Sequence, residues 1–251
     1  MSIRGDNVFI GNNVKIENDV ILEDNVYIDH NSIIRSGVHI GKGSYIGCNC
    51  IIGEYYGSYL MNTEEFKSCR LEIGEGAIIR SGTIIYTDSK IGVAFQTGHR
   101  VTVREKCTLG EHVRVGTLSD VQHSCVIGDY VSLHSNVFLG EETVIKDFVW
   151  IFPGVTITND PTPPSNNLKP VTVEQYAVIS ARAVLLPGIV VGKNSLIGAG
   201  SVVTKDVPDE KVVIGSPGRI VGDIRDVRNK ETGETAYPWP EHFKRGMPWD
   251  E

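Results

Sequence analysis

Aliphatic side chains return along this chain with a period of six residues. The first run starts at Ile10 and ends at Ile52, the second runs from Ile73 to Ile157, and the third from Val173 to Val203. Together they make 29 repeats, and Thr97 is the only member that is not aliphatic. An α-helix would space its apolar residues three and four apart, so this pattern excludes a helical reading.

A second inward position follows four residues after each aliphatic residue and is mostly occupied by small side chains, as at Val14, Ser44, Ala77 and Cys125. Two inward positions around one outward position form a short β-strand, and the Gly, Asn and Asp between them supply a turn. Three such hexads make a triangular coil of about 18 residues with strands roughly 4.8 Å apart. The pattern therefore predicts an all-β fold, a parallel β-helix of about ten coils over residues 1–220.

The frame breaks twice, and each break predicts a loop insertion. The first spans about 54–72 and carries Tyr55, Tyr56, Tyr59 and Phe66, which could stack on a nucleotide base. The second spans about 159–172, is rich in proline and begins with Asn159 and Asp160, whose short polar side chains could hold sugar hydroxyls. Loops on such a scaffold often bind ligands. Residues 221–251 form an aromatic tail that we expect to pack on the helix or on a neighbour.

The outward position before each aliphatic residue is often apolar, which a solitary β-helix would avoid. These residues are Tyr27, Ile33, Ile51, Ile78, Ile84, Phe138, Trp150, Val178, Val184, Val190, Leu196 and Val202. An apolar surface of that extent favours a closed homo-oligomer.

Composition narrows the class of partner. A formal net charge of −7 over 251 residues disfavours a nucleic-acid or anionic-membrane surface and favours a small-molecule partner. The sequence begins without a signal-like segment and has no stretch long enough to cross a bilayer, so we expect a cytoplasmic protein. Five cysteines without a C-x-x-C pair indicate neither a disulfide framework nor a cysteine zinc site.

The ladder of I-G-x-x-x-x units resembles the left-handed β-helix hexapeptide-repeat acyltransferases over about residues 8–220. That resemblance implies left-handed winding, a homotrimer with active sites between subunits, and acetyl-CoA as co-substrate without a required metal. The stretch VGKNSLIGAGSVVTKDVPDEKVVIGSPGRIV, Val191 to Val221, resembles the closing coils of that family. By that resemblance the turns at Ala181 and Ala199 follow the pantetheine arm, and Lys205 and Arg219 lie near the CoA phosphates.

The stretch VQHSCVIGDYVSLHSNVF, Val121 to Phe138, resembles bacterial acetyltransferases of amino sugars and nucleotide-linked amino sugars, in which the histidine matching His123 is the catalytic base. Those enzymes usually have an acidic residue beside it, where this chain has Ser124. The segments GHRVTVRE and TITNDPTPP resemble the branch that acylates 3-amino sugars carried on thymidine diphosphate. The resemblance implies a CoA-dependent N-acyltransferase acting on such a sugar nucleotide.

Residues 18 apart share a column on one wall, which places Glu105, His123, Glu141 and Asn159 in line. Adjacent members should lie roughly 5 Å apart at the backbone, so either glutamate could fix the imidazole tautomer. His134, on a neighbouring wall, is a second candidate base, and His99 heads a second column with Thr117 and Ser135 that could contact substrate. A positioned histidine base suits attack by an amine on a thioester near pH 7.

Three other interpretations remain open from the sequence. A zinc enzyme of the γ-carbonic-anhydrase type shares this fold but has a close histidine pair that is missing here. A non-catalytic binding solenoid would make CoA irrelevant, against the CoA-type closing segment. O-acetylation of a sugar or another small hydroxyl acceptor stays open because one fold hosts both chemistries.

Overall fold

A computed structural model describes residues 3–57 and 69–250 of the chain. The segment 58–68, with Tyr59 and Phe66 of the first insertion, lies outside the described residues. The described chain forms three parallel sheets wound into one β-helix, the all-β architecture that the sequence predicts and one consistent with left-handed winding.

The three walls are named A, B and C in the order in which the chain visits them. Wall A contains β1 (Ile3–Arg4), β4 (Ile21–Leu22), β7 (Val38–Ile40), β10 (Leu71–Ile73), β13 (Ser89–Ile91), β16 (Thr108–Leu109), β19 (Val126–Ile127), β22 (Val144–Ile145), β25 (Thr172–Val173) and β28 (Val190–Val191).

Wall B contains β2 (Phe9–Ile10), β5 (Tyr27–Ile28), β8 (Tyr45–Ile46), β11 (Ile78–Ile79), β14 (Gln96–Thr97), β17 (Arg114–Val115), β20 (Ser132–Leu133), β23 (Trp150–Ile151), β26 (Val178–Ile179), β29 (Leu196–Ile197), β31 (Lys211–Ile214) and β32 (Arg219–Asp223). Strand β32 is antiparallel to β31, and the other pairs are parallel.

Wall C contains β3 (Lys15–Ile16), β6 (Ile33–Ile34), β9 (Ile51–Glu54), β12 (Ile84–Tyr86), β15 (Thr102–Val103), β18 (Asp120–Val121), β21 (Phe138–Leu139), β24 (Thr156–Ile157), β27 (Val184–Leu185) and β30 (Val202–Val203). Two 3₁₀ helices, Ile224–Asp226 and Trp239–Glu241, lie in the tail.

Each of the 29 sequence repeats is one strand, from β2 to β30, and its aliphatic residue points into a continuous core. Three strands have no counterpart in the repeat count: β1, β31 and β32, the last of which turns back antiparallel onto β31. β1 pairs Arg4 with Leu22, and an arginine at the aliphatic position hides it from the pattern. β31 pairs Val213 with Ile197, only sixteen residues back, so its spacing falls outside the frame.

Both frame breaks leave the β-helix at the same corner, where wall C turns into wall A. The first insertion follows β9 and the second follows β24, which ends at Ile157. Coils 4 to 8, counted as successive A, B and C strands, lie between them. A loop above and a loop below therefore border one stretch of the C–A corner.

The tail crosses the outer face of wall B in the upper coils. Trp239 is 8% exposed, packs against Trp150 with ring centroids 5.7 Å apart, and donates its indole N–H to the Tyr176 carbonyl at 3.1 Å. Trp249 contacts Phe148, which belongs to a stacked ladder with Tyr130 and Tyr176. No helix of the described residues is long and apolar enough to span a membrane.

Candidate functional site

Four polar side chains form a hydrogen-bonded line up the C–A corner between the two insertions. His123 has its Nδ1 3.1 Å from the Ser124 hydroxyl and its Nε2 3.2 Å from Oε1 of Glu141. The other oxygen of Glu141 accepts from the Asn159 amide at 3.4 Å. The turns stack directly, since the Glu142 amide N–H donates to the His123 carbonyl at 3.0 Å. His123 and Glu141 are each about one-third exposed, so a ligand can reach them.

Glu105 lies one turn below His123, but its carboxylate is committed elsewhere. Arg104 donates to both of its oxygens at 2.8 and 2.9 Å, and the Glu105 side chain is only 10% exposed. Two parallel N–H···O bonds hold a carboxylate strongly. Of the two glutamates in the predicted column, Glu141 is therefore the one that contacts the imidazole.

Below Glu105, a recess of ≈ 450 Å³ continues the C–A corner downward. Its walls include Tyr55, Tyr56 and Arg104, and Arg35. Arg35 lies over the Tyr55 ring at 5.1 Å, and the Tyr55 hydroxyl donates to Glu17 at 2.9 Å. Lys106 lies 5.6 Å from the centre of the Tyr56 ring. We call this recess the tyrosine cleft; it is aromatic, and its two arginines are ion-paired with glutamates.

Asp160 contacts its own loop. Its carboxylate accepts from the Ser165 hydroxyl and from the amide N–H groups of Thr162 and Ser165, at 2.7 to 2.9 Å. The hydrogen bond from the Ser165 side chain is the main reason why the pKa of Asp160 is lowered. The loop closes beside Asn159, whose carbonyl accepts from the Lys169 amide at 2.7 Å. Asp160 thus shapes the second insertion, while the Asn159 side chain faces Glu141.

His134 and His99 lie on a different corner, where wall B turns into wall C. The His134 ring stacks on Phe152 with centroids 4.6 Å apart, and its buried Nε2 has no hydrogen-bond partner in the described part of the chain. Burial lowers the pKa of His134. The His99 amide donates to the Thr117 hydroxyl at 3.1 Å, which joins the two members of its column. The fold does not bring either histidine to His123.

The residues expected to contact CoA lie at the upper end of the β-helix. Ala181 and Ala199 follow each other on the B–C corner, where the Gly200 amide donates to the Ala181 carbonyl at 2.9 Å. Lys205 and Arg219, fourteen residues apart, line one cleft of ≈ 320 Å³ beside wall C. Both side chains are exposed. Lys205 follows β30 on wall C and Arg219 begins β32 on wall B, so the cleft that they share lies at the last coil and not on the B–C corner itself.

Sequence reasoning missed the arginines that surround these sites. The only sequence feature that could have predicted a role for Arg104 is its position next to Glu105. Nothing in the repeat pattern points to Arg35. Arg80 could have been found through Thr97, the only member of the repeat that is not aliphatic. The Arg80 amide N–H donates to the Thr97 hydroxyl at 2.9 Å. Four of the five cysteines are buried. Within residues 3–57 and 69–250, no cluster of three or more His, Cys, Asp or Glu side chains could hold a metal ion.

Comparison with known proteins gives matches to the repeat and to several transferases. The family described as bacterial transferase hexapeptide (six repeats) matches residues 5–36, 19–54 and 170–205. A serine acetyltransferase from Bacillus pumilus is 39% identical over 104 residues, 41% of this chain and 47% of that protein. A galactoside O-acetyltransferase from Escherichia coli is 38% identical over 90 residues, 33% of this chain and 44% of that protein.

Among solved structures, a perosamine N-acetyltransferase from Caulobacter crescentus in complex with CoA and GDP-perosamine is 20% identical to this chain. The alignment covers 56% of this chain and 57% of the perosamine N-acetyltransferase chain, with a TM-score of 0.36. At that score the likeness carries no argument about activity. The chain spans about half or less of the length of the curated relatives named above. Over residues 5–54 and 170–205, the repeats of this parallel β-helix are similar to those of the bacterial hexapeptide transferases.

Proposed function

We propose that the protein is a CoA-dependent N-acyltransferase that moves an acetyl or short acyl group to the amine of a nucleotide-linked deoxy amino sugar. A thymidine-diphosphate-linked 3-amino-3,6-dideoxyhexose is the acceptor that we favour. The observation that carries the proposal is the line Ser124–His123–Glu141–Asn159, a histidine fixed by a carboxylate and exposed between two loops. Such an arrangement is typical of a general base.

His123 would act through Nδ1. Glu141 accepts the proton on Nε2, which fixes the tautomer and leaves the lone pair of Nδ1 facing the Ser124 hydroxyl. The acceptor amine would take the hydroxyl's place at Nδ1 and lose its proton to that nitrogen as the new amide bond forms and the thiolate leaves. A base of this kind contributes about 10²- to 10⁴-fold to the rate. Glu141 would stabilise the imidazolium that results, and Asn159 would hold Glu141 in place.

The upper B–C corner fits acyl-CoA, whose thioester supplies an already activated acyl group. Ala181 and Ala199 would flank the pantetheine arm, because larger side chains there would fill the corner. Lys205 and Arg219 would bind the phosphates, since both cations line one cleft. The binding energy at these residues would position the thioester for attack.

The acceptor would lie on the C–A corner. Asn159 would contact the sugar, with Asp160 shaping the loop that carries it. Tyr55 and Tyr56 in the tyrosine cleft would stack on the nucleotide base, as aromatic side chains do with any base. Glu105 would act indirectly, by holding Arg104 at the edge of that cleft. His99 and His134 would meet the substrates from the other corner, in a neighbouring subunit.

The two sets of residues lie on different corners, which is the reason for proposing a homotrimer. His123 and Glu141 are at the C–A corner, whereas Ala181 and Ala199 are at the B–C corner of the same chain. A wall of six residues separates the corners by up to about 20 Å, so one acyl carbon cannot be next to both. A second copy would bring its own B–C corner against this C–A corner, and three copies close a ring.

The test is thiol release from acetyl-CoA with a panel of 3-amino and 4-amino dideoxysugars on thymidine and uridine diphosphates. The wild type should turn over one of them, and His123→Asn should lose about 10²-fold or more in kcat. Asn159→Asp with unchanged CoA binding should raise KM for the sugar. Turnover by His123→Asn at the wild-type rate would remove His123 as the base, and failure of every amine acceptor would reject the N-acyltransferase.

The second candidate is an O-acetyltransferase acting on a sugar or another small hydroxyl acceptor. The similarity to a serine acetyltransferase and a galactoside O-acetyltransferase favours it. The same histidine could deprotonate a hydroxyl, so the site alone does not separate the two reactions. Including galactosides, serine and the hydroxyl analogues of each amino sugar in the panel separates them directly.

A further inference from the structure

Two adjoining recesses lie on the B–C corner of coils 3 to 7, away from His123 and Glu141 and from the CoA-contacting turns, and their lining includes His99 and His134. One, of ≈ 230 Å³, is lined by Arg80, Arg114 and His134, among others. The other, of ≈ 480 Å³, is lined by His99 and Arg100, among others. Consecutive residues line one recess and then the other, so the two form a single depression that we call the arginine groove.

Two glycines lie between the arginine and the histidine of the groove. Going up the corner, the column runs Arg80, Gly98, Gly116, His134, so two positions without side chains separate a guanidinium from an imidazole. A Cβ on Gly98 would be 2.3 Å from the Thr117 backbone nitrogen, and a Cβ on Gly116 would be 2.4 Å from the His134 carbonyl carbon. Neither site can carry a side chain without moving the backbone. The close stacking of the coils therefore keeps side chains out of the column between Arg80 and His134.

The groove is cationic. Arg80, Arg100 and Arg114 line it, and no Asp or Glu does. In the part of the chain that the structure describes, none of the three arginines has a carboxylate oxygen within the 4.0 Å of an ion pair. In a protein with a net charge of −7, an uncompensated set of arginines in a recess attracts an anion.

Thr97 holds one of these guanidiniums in place. Its hydroxyl accepts the Arg80 amide N–H at 2.9 Å, and its carbonyl accepts the Arg80 Nη1. Thr97 is buried at a position where every other repeat has an aliphatic residue. The one exception to the repeat thus fixes an arginine at the groove. Guanidinium groups held in this way suit phosphate, which they bind with paired hydrogen bonds.

We propose that the arginine groove binds the diphosphate of the nucleotide-linked acceptor. The proposal rests on the proposed function for the identity of that acceptor. Organic diphosphate could also come from CoA, but the CoA-contacting turns at Ala181 and Ala199 lie in coils 9 and 10, above the groove. The groove spans coils 3 to 7, the same height as much of the tyrosine cleft in coils 2 to 5 and as His123 and Glu141 in coils 6 and 7 on the C–A corner. A neighbouring copy would therefore place it opposite the reacting amine.

Calorimetric titration of the full chain with thymidine diphosphate, uridine diphosphate, inorganic pyrophosphate and CoA tests the groove. Arg114→Gln and Arg80→Gln should each raise the Kd for the nucleoside diphosphate about 10-fold or more, because a hydrogen bond to a charged group is lost. Pyrophosphate binding should weaken in parallel, and CoA binding should not change. Lys90→Gln removes the same charge from wall A and should leave every Kd as it is.

Arg80 donates to the Thr97 carbonyl, so Arg114, which is exposed on β17, is the variant that disturbs the coils less, and denaturant unfolding of both variants shows whether they fold as the wild type does. A wild type that binds neither nucleoside diphosphate, or arginine variants that bind it as tightly as the wild type, would overturn the proposal. Weakened CoA binding with unchanged nucleotide binding would assign the groove to CoA and overturn it as well. The arginine variants could weaken nucleoside diphosphate binding as expected while no amine or hydroxyl acceptor releases thiol from acetyl-CoA. That result would support the groove as a diphosphate site and reject the proposed acyl transfer.

Discussion

At the scale of single residues, the partner of an imidazole decides what the imidazole can do. His123 has a carboxylate on one nitrogen and a hydroxyl on the other. His134 is stacked on Phe152, and its buried Nε2 finds no hydrogen-bond partner among the residues that the structure describes. The first arrangement fixes a tautomer and keeps a lone pair available. The second disfavours the protonated form. These two histidines should therefore respond differently to mutation and to pH.

Glu141→Gln should reduce kcat about 10-fold or more while the protein remains folded, because the amide does not reliably accept the Nε2 proton of His123. The ¹⁵N spectrum of the His123 ring should show the Nε2–H tautomer in the wild type and a mixture in the variant. Glu142→Gln, at an exposed neighbouring position, is the matched control and should change neither. An unchanged ring spectrum in Glu141→Gln would show that the carboxylate does not orient the base.

His134 should titrate below the ordinary histidine pKa near 6.5, because burial disfavours its charged form. The unfolded chain then binds more protons than the folded chain as pH falls below 6.5, so this group makes the protein less stable in that range. Well above pH 6.5 the His134 ring is neutral in both the folded and the unfolded chain, so it no longer lowers the free energy of unfolding. An NMR titration of His134 measures the pKa, and denaturant unfolding at pH 5.5 and 7.5 should show a smaller difference for His134→Gln. A pKa above 6.5 would contradict the prediction.

At the scale of elements, the turns stack so closely that glycine is required at some positions. Gly116→Ala should lower the free energy of unfolding by about 1–3 kcal/mol, because its Cβ would be 2.5 Å from the Ser135 amide nitrogen and the coils must shift. Gly222→Ala is the control, since nothing lies within 4 Å of the added Cβ. Denaturant unfolding of both variants measures the difference. Equal stability of the two would show that the coils can separate without strain.

The tail is a second element whose attachment can be tested. Trp239→Ala should remove about 3–5 kcal/mol of packing and the indole hydrogen bond to Tyr176. Hydrogen exchange should then accelerate in residues 237–250 and stay slow in the β-helix, because the tail makes no core contacts. Arg225→Gln breaks only an exposed ion pair with Glu241 and should have little effect. Uniformly faster exchange in Trp239→Ala would mean that the tail supports the whole helix.

At the scale of the whole molecule, the proposed site needs two copies. Co-expression of His123→Asn with Ala199→Trp should restore activity that each variant lacks alone. In a randomly mixed ring, about one quarter of the sites combine an intact C–A corner with an intact B–C corner, so about a quarter of wild-type activity should return. Co-expression of His123→Asn with Glu141→Gln, both on the C–A corner, should restore nothing. Absence of complementation in the first pair would argue for a site within one chain.

The repeat by itself determined the fold of this protein. A period of six with two inward positions is satisfied by a β-helix that packs the aliphatic residues in or against one core, and each of the 29 repeats became a strand. The same period placed His123, Glu141 and Asn159 in one column, because a coil of 18 residues aligns positions that are 18 apart. Strands β1 and β31 escaped prediction because Arg4 and a sixteen-residue spacing break that rule.

Only the tertiary structure decided which neighbours in a column touch. Glu105 and Glu141 are equally spaced from His123 in the sequence. In the structure Arg104 donates to Glu105, and Glu141 is the carboxylate that contacts the imidazole. The arginine groove also depends on three dimensions, since it joins three arginines from three coils around two glycines. A period fixes where each Cα lies along the solenoid. It does not fix the direction of long charged side chains, which is settled by the partners that each one finds.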